Sequence, residues 1–115
     1  MNDEVCLPAG FAALEGFVAG WVSPTTAARA ARRSASTPAE REAFFAAAAP
    51  LLEAAMTHLD SRPLAELDAA DKRLLALMMA LGHVQMAVEV HREMEPQHAA
   101  LREAMVITRS VSDLV

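Results

Sequence analysis

The stretch LLALMMALGHVQMAVEV, residues 74–90, decides the fold of this chain. Apolar residues fill most of its positions and fall on most sides of a helix rather than on a single face. A helix of this kind lies at the centre of a domain, where neighbouring helices or a second subunit cover it. Asp68 suits an N-cap position, with Asp71 in the first turn. We therefore predict a central helix from Ala69 to about Arg92.

The segment TPAE, residues 37–40, is the clearest local signal before the central helix. Thr37 can cap the free amides, Pro38 suits the first helical position, and Glu40 can bond back to the Thr37 amide. Pro50 lies within the helix that follows, and we expect a kink or a break there because proline lacks an N–H group and clashes with the preceding turn. The predicted apolar face of this helix consists of Phe44, Ala48, Leu51, Leu52, Ala55 and Leu59.

Two shorter helices are expected nearer the N-terminus. Residues 7–21 repeat apolar side chains at helical spacing. The members of that stripe are Phe11, Leu14, Phe17 or Val18, and Trp21. The second helix has Ser23 as N-cap and Pro24 at the first helical position, and we expect it to end near Ser34.

The rest of the chain completes a single helical domain over residues 1–115. Residues 60–63 predict a turn, and residues 63–67 predict a helical turn or a connector. Pro96 begins a last short helix that runs to about Met105. The β-branched residues of 105–115 favour an extended segment. The fold class is therefore all-α, a compact bundle of four or five helices.

Composition limits the partners of this domain. The chain has 115 residues, 54% of them hydrophobic, and a formal net charge of −5. A negative chain repels a phosphate backbone, so we predict no nucleic-acid partner. The longest apolar run, 74–90, is shorter than the roughly 20 residues of a membrane span, so we predict no membrane partner either.

The same features indicate a compartment and an oligomeric state. Cys6 is the only cysteine and cannot form an internal disulfide, and the acidic N-terminus does not fit a secretory signal, so we expect a cytoplasmic protein. A monomer of this size has little surface with which to cover so much apolar area. We therefore expect dimerisation to complete the bundle and predict a homodimer.

The stretch HVQMAVEVHREMEPQH, residues 83–98, contains three of the four histidines. On a straight helix His83 and His91 would be separated by about 12 Å of rise, too far to share a metal ion. His91, Glu95 and His98 are close enough in sequence to do so, and Glu95 and His98 have the Glu-x-x-His spacing of di-iron sites. Such sites need two copies of that motif. We favour polar side chains at a helix exit, keep the metal site as the alternative, and predict no cofactor.

His83 is a candidate for ligand binding because it interrupts the most apolar helix. A buried histidine most often bonds to a carbonyl or a carboxylate. It could instead line a small-molecule pocket, in which Gly82 leaves room and Met79 and Met86 form an adaptable wall. His58 could face the same interior, or could lie at the C-terminal turn of its helix, where a cation is favoured.

Arg29, Arg32 and Arg33 form a local positive patch on one predicted helix. No acidic residue occurs between Gly16 and Ala39. A phosphate or an acidic partner surface could use such a patch, although a solvated helix face is the ordinary explanation.

No nucleophilic or nucleotide-binding motif occurs, and Cys6 has no nearby histidine to activate it. These features favour a non-enzymatic interaction or accessory protein that acts as a helical homo-oligomer, with an unidentified protein partner. The alternative is a protein that binds a small molecule or a metal, with an enzyme included in that class, through His83, His58 or residues 91–98.

Two segments, ARAARRSASTPAEREAFFAAAAPLLEAAMTHLD (28–60) and KRLLALMMALGHVQMAVEV (72–90), resemble a group of small all-helical proteins of high-GC proteobacteria. The shared pattern runs an Arg-rich helix into a Phe-bearing helix and then into Leu-rich segments. The resemblance implies an all-α fold in a bacterial protein. It implies no activity and carries no site residue over to this chain.

Overall fold

The computed structural model describes residues 7–91 and 94–103, and their regular structure is entirely helical. The α-helices are α1 (Val18–Trp21), α2 (Thr26–Ala35), α3 (Pro38–Ala48), α4 (Leu52–Leu59), α5 (Ala69–Gln85) and α6 (Glu95–Glu103). Shorter helical segments are 3-10 turns at Ala12–Phe17, Ala49–Leu51 and Leu64–Glu66, and a π-helical segment at Met86–His91. Five α-helices in the described ranges have eight residues or more, which confirms the all-α bundle. Cys6 and the predicted extended segment 105–115 lie outside these ranges.

The predicted capping box at Thr37 and the predicted N-cap at Asp68 are both present. The Thr37 hydroxyl accepts from the Glu40 amide at 3.1 Å, and Glu40 accepts from the Thr37 amide at 2.8 Å. At the start of α5, Asp68 accepts from the Asp71 amide at 2.8 Å. The prediction for α2 was wrong by two residues, because Thr25 rather than Ser23 caps the helix by accepting from the Ala28 amide.

Pro50 breaks the predicted helix into two. α3 ends at Ala48, the 3-10 turn carries Pro50, and α4 begins at Leu52. A 3-10 turn has fewer residues per turn than an α-helix, so it rotates the helix that follows. Phe44 and Ala48 are fully buried as predicted, whereas Leu52 is 39% exposed and does not belong to the apolar face.

The core forms around α5, as the 74–90 stretch predicts. Eight residues of α5 are buried, and α1, α2, α3 and α4 all pack against it. Phe44 of α3 is stacked on Trp21 at 4.8 Å between ring centroids, and the Phe17 ring lies 5.6 Å from the same phenyl ring. The predicted N-terminal stripe is therefore part of the core, where it covers the contact between α3 and α5.

The C-terminal end of α5 differs from the prediction of one α-helix to about Arg92. The α-helical bonding ends at Gln85, and Met86–His91 continues as a π-helix. A π-turn is wider than an α-turn and recurs at functional sites. α6 then packs mainly against α2 and also contacts the π-helical segment. Within the described ranges, no helix combines the length and apolarity needed to cross a bilayer.

Candidate ligand pocket between α2 and α5

An open pocket of about 460 Å³ lies between α2 and the end of α5. Its lining residues are Arg29, Arg33, Met79, Gly82, His83 and Met86. The two arginines are four residues apart on α2, and the α5 residues follow the three- and four-residue spacing of one helical face. The pocket therefore joins two groups that the sequence analysis treated separately, the arginines and the His83–Met wall. Its size falls within the range of small-molecule sites.

Arg33 supplies a buried charge at this pocket. Its Nε donates to Glu95 Oε2 at 3.2 Å and its Nη2 donates to Glu95 Oε1 at 2.8 Å. Both side chains are nearly excluded from solvent, with exposures of 6% and 2%. This two-point pairing of a planar guanidinium with a planar carboxylate is the strongest geometry that an ion pair adopts in proteins. It fastens the first turn of α6 to α2.

Two hydrogen bonds near the start of α2 hold the Arg29 side chain in place. Its Nη1 donates to the Ser23 carbonyl at 3.2 Å, and its Nη2 donates to the Thr26 hydroxyl at 3.1 Å. The side chain is buried. A guanidinium keeps its charge at every physiological pH, so Arg29 contributes a fixed positive charge to the α2 wall.

Arg32 does not line the pocket, although it lies between the other two arginines in sequence. Its guanidinium lies over the Trp21 ring, 4.4 Å from the centroid, and its Nε donates to the Gly20 carbonyl. Nη2 of Arg32 is 3.4 Å from Glu40. The Thr37 amide and then Arg32 stabilise the charged carboxylate, so the pKa of Glu40 is lowered. The predicted patch of three arginines therefore divides into a buried pair and one partly exposed residue.

The α5 wall contains the predicted opening at Gly82. A Cβ built on this residue would meet no described atom within 4 Å. Met79 and His83 are half-buried beside it, and Met86, the first residue of the π-helical segment, is exposed. The wall is thus formed by flexible thioether side chains and an imidazole around an open space.

His58 lies elsewhere, in the last turn of α4, the second of the two positions considered for it. Its Nε2 is 2.7 Å from Asp71 Oδ1, and its ring meets Phe11 edge to face. Arg62 Nη1 is 3.4 Å from the other oxygen of Asp71. The hydrogen bond with His58 is the main reason why the pKa of Asp71 is lowered, and it outweighs the burial of the carboxyl group. His58 therefore links α4 to the start of α5 and does not reach the pocket.

The structure describes the side chains of two of the three residues of the predicted metal site. Glu95 is bound to Arg33, and His98 is half-buried on α6. The side chain of His91 lies outside the described part of the structure. Among the described side chains, no three histidine, cysteine, aspartate or glutamate residues are close enough together to hold a metal ion.

Comparison with known proteins found no family model, no curated protein and no solved structure that matches this chain.

The Arg33–Glu95 pair was not predicted from the sequence. The two residues are 62 positions apart, so no local spacing connects them. One signal was available: an Arg-rich helix without a nearby acidic residue, in a chain of net charge −5, needs its carboxylates from a distant segment.

Proposed function

We propose that this protein binds a small organic anion with an apolar part, in the pocket between α2 and α5. The observation that carries this proposal is the convergence of Arg29, Arg33 and His83 with Met79 and Met86 around one opening. Guanidinium and imidazole groups favour an anion, and the burial of both guanidinium groups strengthens that attraction.

The two walls of the pocket define the shape of the ligand. The α2 wall carries the arginines, and the α5 wall carries methionines beside the space left by Gly82. Methionine adapts its rotamers to irregular apolar partners. The ligand therefore directs its charged group toward α2 and lays its apolar part along α5.

The π-helical segment supports a functional role for this end of α5. A central helix with so many buried residues would be expected to continue as a regular α-helix, yet it widens at Met86, which lines the pocket. Such local widening recurs at functional sites.

Titration calorimetry with octanoate tests the proposal, with octanamide as the neutral ligand of similar shape. We expect octanoate to bind with a Kd of about 1 mM or tighter and octanamide to bind more weakly. Gly82→Leu fills the opening and should abolish octanoate binding. Gly16→Leu is the matched control, because a Cβ at Gly16 also meets open space but lies outside the pocket lining.

A second pair of variants tests the role of charge. Arg29→Gln removes a charge from the pocket and should weaken octanoate binding, whereas Arg32→Gln removes a charge from the same helix outside the pocket and should not. Circular dichroism of each variant verifies that it is folded. The proposal fails if octanoate does not bind wild-type protein, or if both members of each pair alter binding equally.

The predicted cytoplasmic homodimer that acts through helix faces remains a second candidate function. Exposed apolar side chains at α6 favour it, since Met94, immediately before α6, is 49% exposed and Leu101 within α6 is 66% exposed. We propose a second copy of the chain as the partner of this face. Light scattering after gel filtration should give a dimer for wild-type protein and a monomer for Leu101→Glu, and a wild-type monomer would refute this function.

A further inference from the structure

We infer that the anionic group of the ligand is a carboxylate that replaces Glu95 on Arg33 and thereby releases α6 from α2. This inference rests on the proposed function, because it concerns the same pocket. It assigns the chemical class of the ligand and makes Glu95 an internal competitor of that ligand.

Arg33 is the residue that connects the pocket with α6. It lines the pocket, and the same guanidinium holds the Glu95 carboxylate by two hydrogen bonds of 3.2 and 2.8 Å. The Nε and Nη2 donors of arginine match the two oxygens of a carboxylate in one plane. Glu95 therefore shows which anion this edge of Arg33 accepts, and a ligand carboxylate has the same geometry and charge.

Glu95 is also the partner that can leave. The oxygens bound to Arg29 come from Ser23 and Thr26, which lie within six residues of it in sequence, so their displacement would disturb the start of α2. Glu95 comes from a separate helix, 62 residues along the chain from Arg33. Its departure moves α6 and leaves α2 and α5 in place.

The exchange preserves the pairing of the buried charge. A guanidinium left unpaired in the protein is costly, whereas one that trades one carboxylate for another stays paired, and the released glutamate returns to water. Because Glu95 belongs to the same chain as Arg33, it has a high effective concentration near the guanidinium, so a free carboxylate competes only when other contacts add to its affinity. Contact with Met79 and Met86 supplies them, and octanoate should therefore displace Glu95 where acetate does not.

Octanoate titrations of wild-type, Glu95→Gln and Glu89→Gln proteins test the competition. Glu95→Gln removes the competing charge, so we expect octanoate to bind about tenfold tighter or better. Glu89→Gln removes an exposed carboxylate, bonded to Gln85, from the neighbouring π-helical segment and should leave the affinity unchanged. A residue with only a structural role would weaken the protein when replaced but would not strengthen ligand binding.

Hydrogen exchange of wild-type protein provides an independent measurement, which holds even if Glu95→Gln fails to fold. Saturating octanoate should accelerate amide exchange across residues 95–103, while acetate at the same concentration should not. The inference is overturned, with the proposed function intact, if octanoate binds in a Gly82-dependent manner but protects residues 95–103, or binds Glu95→Gln no more tightly. If octanoate binds neither wild-type protein nor Glu95→Gln, the inference and the proposed function are overturned together.

Discussion

Arg32 and Arg33 are neighbours in sequence, and each forms an ion pair with a glutamate, but the two pairs lie in opposite environments. Arg32 meets Glu40 at 3.4 Å at the surface, whereas Arg33 holds Glu95 at two points in the interior. One step along a helix turns the side chain by about 100°, which directs Arg32 toward Trp21 and Arg33 toward α6 and the pocket.

The two ion pairs show that the surroundings of the side chain, and not the type of residue, set the role of each arginine. Water and salt screen the exposed pair, which competes with solvation and contributes little to stability. The buried pair has lost its water, so removal of either partner leaves an uncompensated charge in the interior. Only the buried pair joins a residue of the pocket lining to a second helix.

Glu95→Ala should have the largest effect on stability. It removes the buried carboxylate that pairs with the Arg33 guanidinium, and breaking a buried pair in this way costs about 3–5 kcal/mol of unfolding free energy. Urea titration followed by circular dichroism measures the loss. Glu89→Ala is the control, because it removes an exposed glutamate from the π-helical segment. Equal losses of unfolding free energy in the two variants would show that Glu95 is not the buried partner of Arg33.

The His58–Asp71 pair is intermediate, with one partner buried and one partly exposed, and it should appear in the pH dependence. Because the folded-state pKa of Asp71 lies below its ordinary value of 3.8, the stability that it contributes is fully present above that pH and is lost as the pH falls below it. Asp71→Asn should therefore show a smaller loss of stability than wild type between about pH 5 and pH 3. Urea midpoints across that range measure the two slopes, and parallel curves would contradict the assignment.

Thr37→Ala should cost about 1 kcal/mol of unfolding free energy, because it removes the side-chain cap of α3. The variant keeps the backbone amide that donates to the Glu40 side chain and loses only the hydroxyl that accepts from the Glu40 amide. Thr57→Ala, at an exposed position on α4, makes the same change of side chain away from the cap and is the control. Thr37→Ser should restore most of the stability, and failure to do so would assign the loss to packing.

Glu40→Gln should have the smallest effect. Glutamine can still complete the capping box, so this variant removes only the charge that faces Arg32. Chemical denaturation in urea with low salt should reveal at most a slight loss, and about 1 M NaCl should remove the difference from wild type. A loss that persists in salt would mean that the exposed pair is not screened as its position implies.

The local features of the fold could be predicted from the sequence, whereas the contacts that build the site could not. Caps at Thr37 and Asp68 depend on residues three apart, and Pro50 acts on its own turn, so short patterns were enough. The pairing of Arg33 with Glu95 depends on how α6 packs against α2, which no spacing encodes. The π-helical segment after Gln85 also depends on tertiary packing, because an apolar run does not distinguish a wide turn from a regular one.

The two walls of the pocket show the same limit of prediction from sequence. The sequence indicated a positive patch of Arg29, Arg32 and Arg33 and, separately, a ligand wall of His83, Met79 and Met86. Nothing in it placed α2 against the end of α5 or separated Arg32 from the other two arginines. The expectation that Leu52 would join the apolar face failed because the 3-10 turn at Pro50 rotates α4.

Methyl NMR of methionine tests the α2–α5 pocket as the binding site most directly, since the chain has seven methionines and two of them line the pocket. During titration of wild-type protein with octanoate, we predict that the methyl signals of Met79 and Met86 shift in a saturable manner. Met56, exposed on α4 and outside the pocket lining, should not shift. Unmoved Met79 and Met86 signals at saturating octanoate, or a larger shift at Met56, would contradict a ligand site between α2 and α5.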